Sequence, residues 1–185
     1  MQRDGVLAHV LPEARRFQRL RSLLAVEPVP DSMLRLGALI DIDAEGATAL
    51  SLRLRFSNAE RDRIAAMAAP SWPVRLDDNT RARRRALYHL GNRHYRDLVL
   101  LRAAERGALA RRRLRALLAF ADRTTLPAFP IRGRDIVQAG VAPGPRVKEL
   151  LDELTAWWEA RDFRPSRAQC LTQLGRALGA EQKRR

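Results

Sequence analysis

Asp41 and Asp43, separated only by Ile42, are the carboxylates whose spacing could hold two magnesium ions for phosphoryl or nucleotidyl transfer. That chemistry needs its carboxylates fixed on rigid strands beside a phosphate-cradling turn. Here the pair follows "LRLGALI", a helical pattern, and precedes "AEGAT", which opens another, so a helix end and a cap is the expected role. Asp77 and Asp78 read the same way. His9, His89 and His94 lack the acidic neighbour of a His–Asp metal pair, and the five-residue step from His89 to His94 misses the one-turn spacing of helical zinc ligands. Cys170 is the single cysteine, which leaves no disulfide framework and no thiolate cluster. Pro143-Gly144-Pro145 lacks the Gly-Lys-Ser/Thr ending of a phosphate-binding loop. The residues assign no catalytic group and no metal ligand.

Positive charge is what remains. The net charge is +14, and of 35 basic residues only Lys148 and Lys183 are lysine, the other 33 being arginine. Such a balance points to a polyanionic partner. GC-rich codon usage produces the same arginine skew, so charge alone does not separate the two origins. Two arginine runs, Arg81–Arg85 and Arg111–Arg115, fall on neighbouring helical segments and could form a basic strip along an RNA backbone. A charge run on a helix is also an ordinary solvated face. In "PIRGRDIVQAGVAPGPRV", Pro130–Val147, Pro145 pre-sets a helical first turn flanked by Arg146 and Lys148, with Arg132 and Arg134 nearby. Gly133 and Gly144 are expected to allow backbone turns that a side chain would block. Asp135 is placed to cap a short helix or to pair with Arg132 or Arg134. The same stretch also reads as a helix–turn–helix corner packed through Ile131, Ile136 and Val141. Arg81, Arg83, Arg84, Arg85, Arg111, Arg112, Arg132, Arg134, Arg146 and Lys148 are the candidate RNA contacts. Trp72, Trp157 and Trp158 read first as core anchors, Trp158 above all.

These groups must be carried by helices. Leu and Ala dominate while Val, Ile, Thr and aromatics are sparse, which favours helix over sheet. The pattern predicts an all-α, irregular bundle of about eight to ten helices without a sheet. Two lie in "GVLAHVLPEARRFQRLRSLLAVE", the second opened by Pro12, and one in "SMLRLGALIDI", capped by Asp31 or Ser32. Ser57 and Glu60 form a capping box for a helix from Asn58 to Ala68, ended by Trp72-Pro73. Three more follow, with Gly91 and Gly107 as stops, and "ALARRRLRALLAFADR" buries Leu109, Leu114, Leu117 and Leu118. Beyond the Gly/Pro-rich corner, Val147, Leu150, Leu151, Leu154 and Trp158 form one apolar face. Ser166 and Gln169 then cap a last helix before a charged tail. No run approaches the about eighteen apolar residues of a membrane span, and the start is no secretory signal, so a cytoplasmic protein without a membrane partner is expected.

Three phrases together resemble the C-terminal half of the class II bacterial tRNA nucleotidyltransferases, the CCA-adding enzyme and poly(A) polymerase family. "LRLRFSNAERDRI", Leu52–Ile64, is similar to the family's Leu-Arg-Leu-Ser-Asn-x-Glu-Arg segment. "FPIRGRDIVQAGVAPGPRVKELLDEL" resembles its Pro-Ile-x-Gly-x-Asp-Leu and Gly-Ile-x-x-Gly-Pro-x-Ile-Gly-x-x-Leu signature, and is the most specific part. "AWWEARDF" before a short helix resembles the ending of alphaproteobacterial members. Lys148 stands where the family often has Gly.

The resemblance implies residues 1–70 as distal neck and body and residues 71–185 as body and tail, with the catalytic head absent. No Glu-Asp-x-x-Arg template, Gly-Ser strand or Arg-Arg-Asp phrase occurs. It further implies tRNA and the enzyme's own N-terminal head as partners. Magnesium and CTP or ATP belong to that head, and this chain is expected to be inactive by itself. The alternative reading is a basic helical protein-interaction module with no RNA role.

Overall fold

A computed structural model describes residues 6–106 and 111–182. Among these residues every regular element is helical, and the one β-type pairing is an isolated antiparallel bridge between Ala14 and Ile40. The chain divides into two compact units, Met1–Thr124 and Thr125–Arg185. The expected boundary near residue 70 falls inside the first of them.

The first unit carries α1 (Val6–Val10), α2 (Phe17–Leu24), α3 (Ser32–Leu39), α4 (Ala44–Arg53), α5 (Asn58–Ala68), α6 (Thr80–Arg106) and α7 (Arg111–Arg123). Most of its helix starts are explained by local capping, which satisfies backbone N–H groups that have no partner inside the helix. The Asp31 carboxylate accepts from the Leu34 N–H at 2.9 Å, and Asp43 accepts from the Gly46 N–H at 2.9 Å. At α5 the capping box is complete: the Ser57 N–H donates to Glu60 Oε2 at 2.8 Å, and the Glu60 N–H to Ser57 Oγ at 3.4 Å. Asn79 accepts from the Ala82 N–H at 2.9 Å at the start of α6.

Two expectations need correction. Pro12 opens no helix; it lies in a turn closed by the Ala14 N–H on the Leu11 carbonyl, and α2 begins only at Phe17. The backbone after Pro12 is engaged elsewhere: Ala14 bridges Ile40, and the Arg15 and Arg16 N–H groups donate to the Leu39 carbonyl at 3.1 and 2.8 Å, which outweighs the proline's helical preference. α5 stops before Pro70 rather than at Trp72-Pro73, because Ala69, the residue preceding that proline, has left the helical region at φ −135°. Gly91 (φ 72°) stops the first helical segment of α6 as expected, and a second segment follows at once. Gly107 and Leu109 lie outside the described residues.

The second half of α6 is the centre of this unit, with Leu98, Val99, Leu100, Leu101, Ala103 and Ala104 all buried. α2, α5 and α7 pack on α6, and α3 packs on both α2 and α5. The end of the Met67 side chain of α5 lies over Gly37 of α3, where a Cβ would come 2.5 Å from its sulfur and oblige that side chain to move. Two arginines act as internal fasteners. Arg19 donates to the carbonyls of Gly37, Ala38 and Ile40 at 2.6–2.9 Å, satisfying the open end of α3 from α2. Arg63, almost wholly buried, donates twice to Asp97 at 2.7 and 2.8 Å and lies 2.8 Å from Asp31. These carboxylates hold the guanidinium firmly charged, pushing its pKa above the usual arginine value.

The second unit carries α8 (Gly133–Gln138), α9 (Pro145–Glu159) and α10 (Arg167–Gln182). Leu150, Leu154 and Trp158 form the inner face of α9, as the periodicity predicts, and meet Ile136, Cys170 and Leu174 in one core. Trp158 is 1% exposed; Phe163 meets it edge-on at 5.0 Å, and its indole N–H donates to the Pro165 carbonyl at 3.0 Å. Cys170 lies in this core, where burial pushes the thiol pKa up.

Breaking the Arg63–Asp97 pair leaves a charge out of water. Asp97→Ala is expected to destabilise the first unit by about 3–5 kcal/mol, measured by denaturant unfolding. Lys148→Ala, which removes an exposed pair, should leave stability nearly unchanged.

Candidate nucleic-acid interface

The arginines sort into those that meet a carboxylate and those that do not. Arg16 pairs with Asp41, Arg19 with Glu105, Arg35 with Glu27, Arg53 with Glu13 and Arg96 with Asp122. The Asp41-Ile42-Asp43 carboxylates are thereby occupied, Asp41 by Arg16 and Asp43 by the start of α4. No three of His, Cys, Asp and Glu come together as metal ligands among the described residues.

α7 is different. Its buried face is Leu114, Leu117, Leu118 and Ala121, and Arg112, Arg113 and Arg115 are all exposed. None of the three makes an ion pair among the described residues. The backbone of Arg111 begins the helix, and its side chain lies outside the described residues.

In the first half of α6, Arg81 is exposed while Arg84 and Arg85 are half-buried. Arg83 departs from the expected strip. It follows the helical spacing of Ala86, Leu87 and Leu90, the buried face, and its guanidinium lies 5.9 Å over the Phe120 ring of α7. Its Nε is buried without a hydrogen-bond partner. Arg83 thus joins α6 to α7, and Phe120 stands two turns beyond the exposed Arg113 on the same side of α7. Tyr95 is buried in the same unit, and burial pushes its phenol up to about 12.

The corner of the second unit is ordered by a residue that sequence reasoning did not select. Asp135 is buried and accepts from the Arg132 N–H at 2.7 Å, the expected cap, but its ion partner is Arg167 rather than Arg132 or Arg134. Arg167 donates to both carboxylate oxygens at 2.7 and 3.0 Å and to the Pro130 carbonyl at 2.9 Å. Nothing local marks Arg167, which lies 32 positions away just after the Ser166 cap. Gly133 departs from the expectation: its φ is not positive, and a Cβ there would make ordinary contact with Val147 at 3.4 Å, so no backbone turn depends on glycine at this position. Gly144 does adopt φ 155° at the N-cap of α9, with Pro145 at the first turn.

The flanking cations are engaged along α9. Arg146 pairs with Glu149 at 2.8 Å and Glu153 at 3.3 Å, and Lys148 with Asp152 at 2.8 Å. Arg132 and Arg134 are exposed, with no ion pair among the described residues.

Trp158 is core, as expected. Trp157 is half-buried beneath the Arg161 guanidinium at 4.2 Å. Trp72 is also half-buried, and its ring stacks on His89 at 3.8 Å and 9°. Comparison with protein-family models finds no match to this chain, and comparison with curated proteins finds none either.

The Arg167 guanidinium, foremost, and the Arg132 N–H hold the Asp135 carboxyl well below the usual carboxylate range, against the opposing effect of burial. A depressed folded-state pKa gives stability that is full above the unfolded value of about 4 and is lost as pH falls toward the folded one. Denaturant midpoints followed from pH 7 downward should show wild type losing this contribution below about pH 4. Arg167→Ala should start less stable at pH 7 and converge on wild type toward pH 2.

Proposed function

We propose that this chain is the tRNA-binding helical C-terminal region of a CCA-adding tRNA nucleotidyltransferase. It holds the acceptor and T-arm side of tRNA so that the 3′ end reaches a catalytic head on other polypeptide. The observation that carries this reading is Arg112, Arg113 and Arg115 standing exposed on one helix without carboxylate partners, in a protein whose arginines elsewhere so often meet one. Packing of α7 on α6 puts the second arginine run on an adjoining element. Fixed guanidinium groups on rigid helices suit an A-form stem, whose phosphates and 2′-hydroxyls are read by shape rather than by base sequence. The resemblance of Leu52–Ile64 and Phe129–Leu154 to the family supports the choice of tRNA among RNAs.

In the whole enzyme the head would supply magnesium and CTP or ATP. The part of this chain is to bind and orient RNA. A second reading, a docking module for protein, is favoured by the exposed apolar residues Val10 (59% exposed), Leu52 (64%) and Leu54 (38%) around the end of α4.

Phosphate neutralisation makes log affinity fall with log salt by about 0.7–0.9 per phosphate contacted. Anisotropy titrations with tRNA should give a steep slope for wild type, and one shallower by about 2 for the triple alanine variant of Arg112, Arg113 and Arg115. Salt-insensitive binding, or none at low salt, overturns the reading in favour of protein docking. Incubation with magnesium, tRNA and labelled CTP should give no incorporation by this chain.

A further inference from the structure

One cavity in the first unit has the makings of a nucleotide site. It measures about 180 Å³ and is lined by Trp72, Pro73, Arg75, Asp78, Ala82 and Arg85. We propose that it takes one unpaired nucleotide of RNA, the base against the Trp72 indole and the phosphate against Arg75 and Arg85. The inference rests on the RNA-binding reading above and adds a single-strand contact to a surface otherwise suited to duplex.

The indole is held in place from beneath. His89 of α6 stacks on it, nearly parallel, and Tyr88 meets His89 edge-on at 5.4 Å. Ala82, Arg85 and His89 succeed one another along one side of α6 at helical spacing, so the indole, carried by the segment between α5 and α6, rests against a helix. The segment after Trp72 is anchored by alternation. Val74 and Leu76 are buried, while Pro73 and Arg75 between and before them are exposed. Asp78 fixes the following turn, its carboxylate accepting from the Arg75 N–H at 3.0 Å while its own N–H donates to the Arg75 carbonyl at 3.3 Å.

A tryptophan serving only the core would be enclosed as Trp158 is. Trp72 instead borders a cavity with two arginines, and the Arg85 Nε is buried there without a hydrogen-bond partner. A flat ring beside cations is the arrangement that binds nucleic-acid strands through base stacking and phosphate attraction together. Bases inside a duplex hide their faces, so the occupant has to be unpaired.

The test uses the full chain with labelled oligoadenylate, an RNA duplex and tRNA. Wild type should bind oligoadenylate with quenching of tryptophan fluorescence. Trp72→Ala should weaken that binding by about tenfold while changing duplex affinity less than about twofold, and Trp72→Phe should retain most of it. Equal losses on both probes, or no loss on oligoadenylate, overturn the proposal. Should Trp72→Ala fail to fold, Ala82→Glu decides: it keeps the Trp72–His89 stack and sets a carboxylate in the cavity, so it should lose oligoadenylate selectively, and unchanged binding overturns the proposal. Wild type that binds tRNA but not oligoadenylate sinks this site alone; wild type that binds neither sinks the RNA-binding reading with it.

Discussion

The Arg63 guanidinium lies almost entirely out of water, and its charge is tolerated there because Asp97 and Asp31 meet it from two other elements. An unpaired charge at that depth would cost several kcal/mol, so the three groups must be brought together by the fold or not buried at all. The same constraint orders much of the first unit. Arg19 can be partly buried because it caps the carbonyl end of α3 and meets Glu105, and Arg53 is tied to Glu13 and the Val10 carbonyl. In a chain with far more basic than acidic residues, such pairs use up carboxylates. Arginines for which none remains must stand in water or meet another anion.

That division gives the arginine skew a structural meaning beyond codon usage. Arg63 and Arg19 hold helices together and are poor candidates for phosphate contact. Arg112, Arg113 and Arg115 are carried on a helix whose other side is buried through Leu114, Leu117 and Leu118, so their backbone is anchored while no carboxylate among the described residues neutralises them. Arg146 and Lys148 occupy an intermediate position. Their carboxylate partners lie on the same exposed helix, where ion pairs are worth little and an incoming phosphate can compete. Arg83 belongs with the structural group, turned toward Phe120.

Features written in adjacent residues were legible in advance. The capping box at Ser57 and Glu60, the cap at Asp31, the interruption at Gly91 and the apolar face of α9 all follow from short-range periodicity and side-chain reach. The assignment of Asp43 to a helix start rather than to a metal also came from its neighbours. What stayed hidden was long-range. Arg167 sits beside Asp135 and Arg63 beside Asp97 only after the helices dock, and one arginine among 33 carries no mark of its partner. Pro12 opens no helix because the residues after it bond to Leu39 and Ile40, a tertiary contact that its neighbours do not announce. Trp72 beside His89 is of the same kind, since nothing in their separation announces a stack.

The central claim is that RNA meets arginines that no carboxylate has claimed. Ultraviolet crosslinking of the chain to tRNA, with the attached peptides mapped by mass spectrometry, tests it most directly. Crosslinks should concentrate at the start of α7, in the peptides bearing Arg112, Arg113 and Arg115. Crosslinks confined to the peptides of α2, α3 and α5, where arginines are paired or buried, would contradict it.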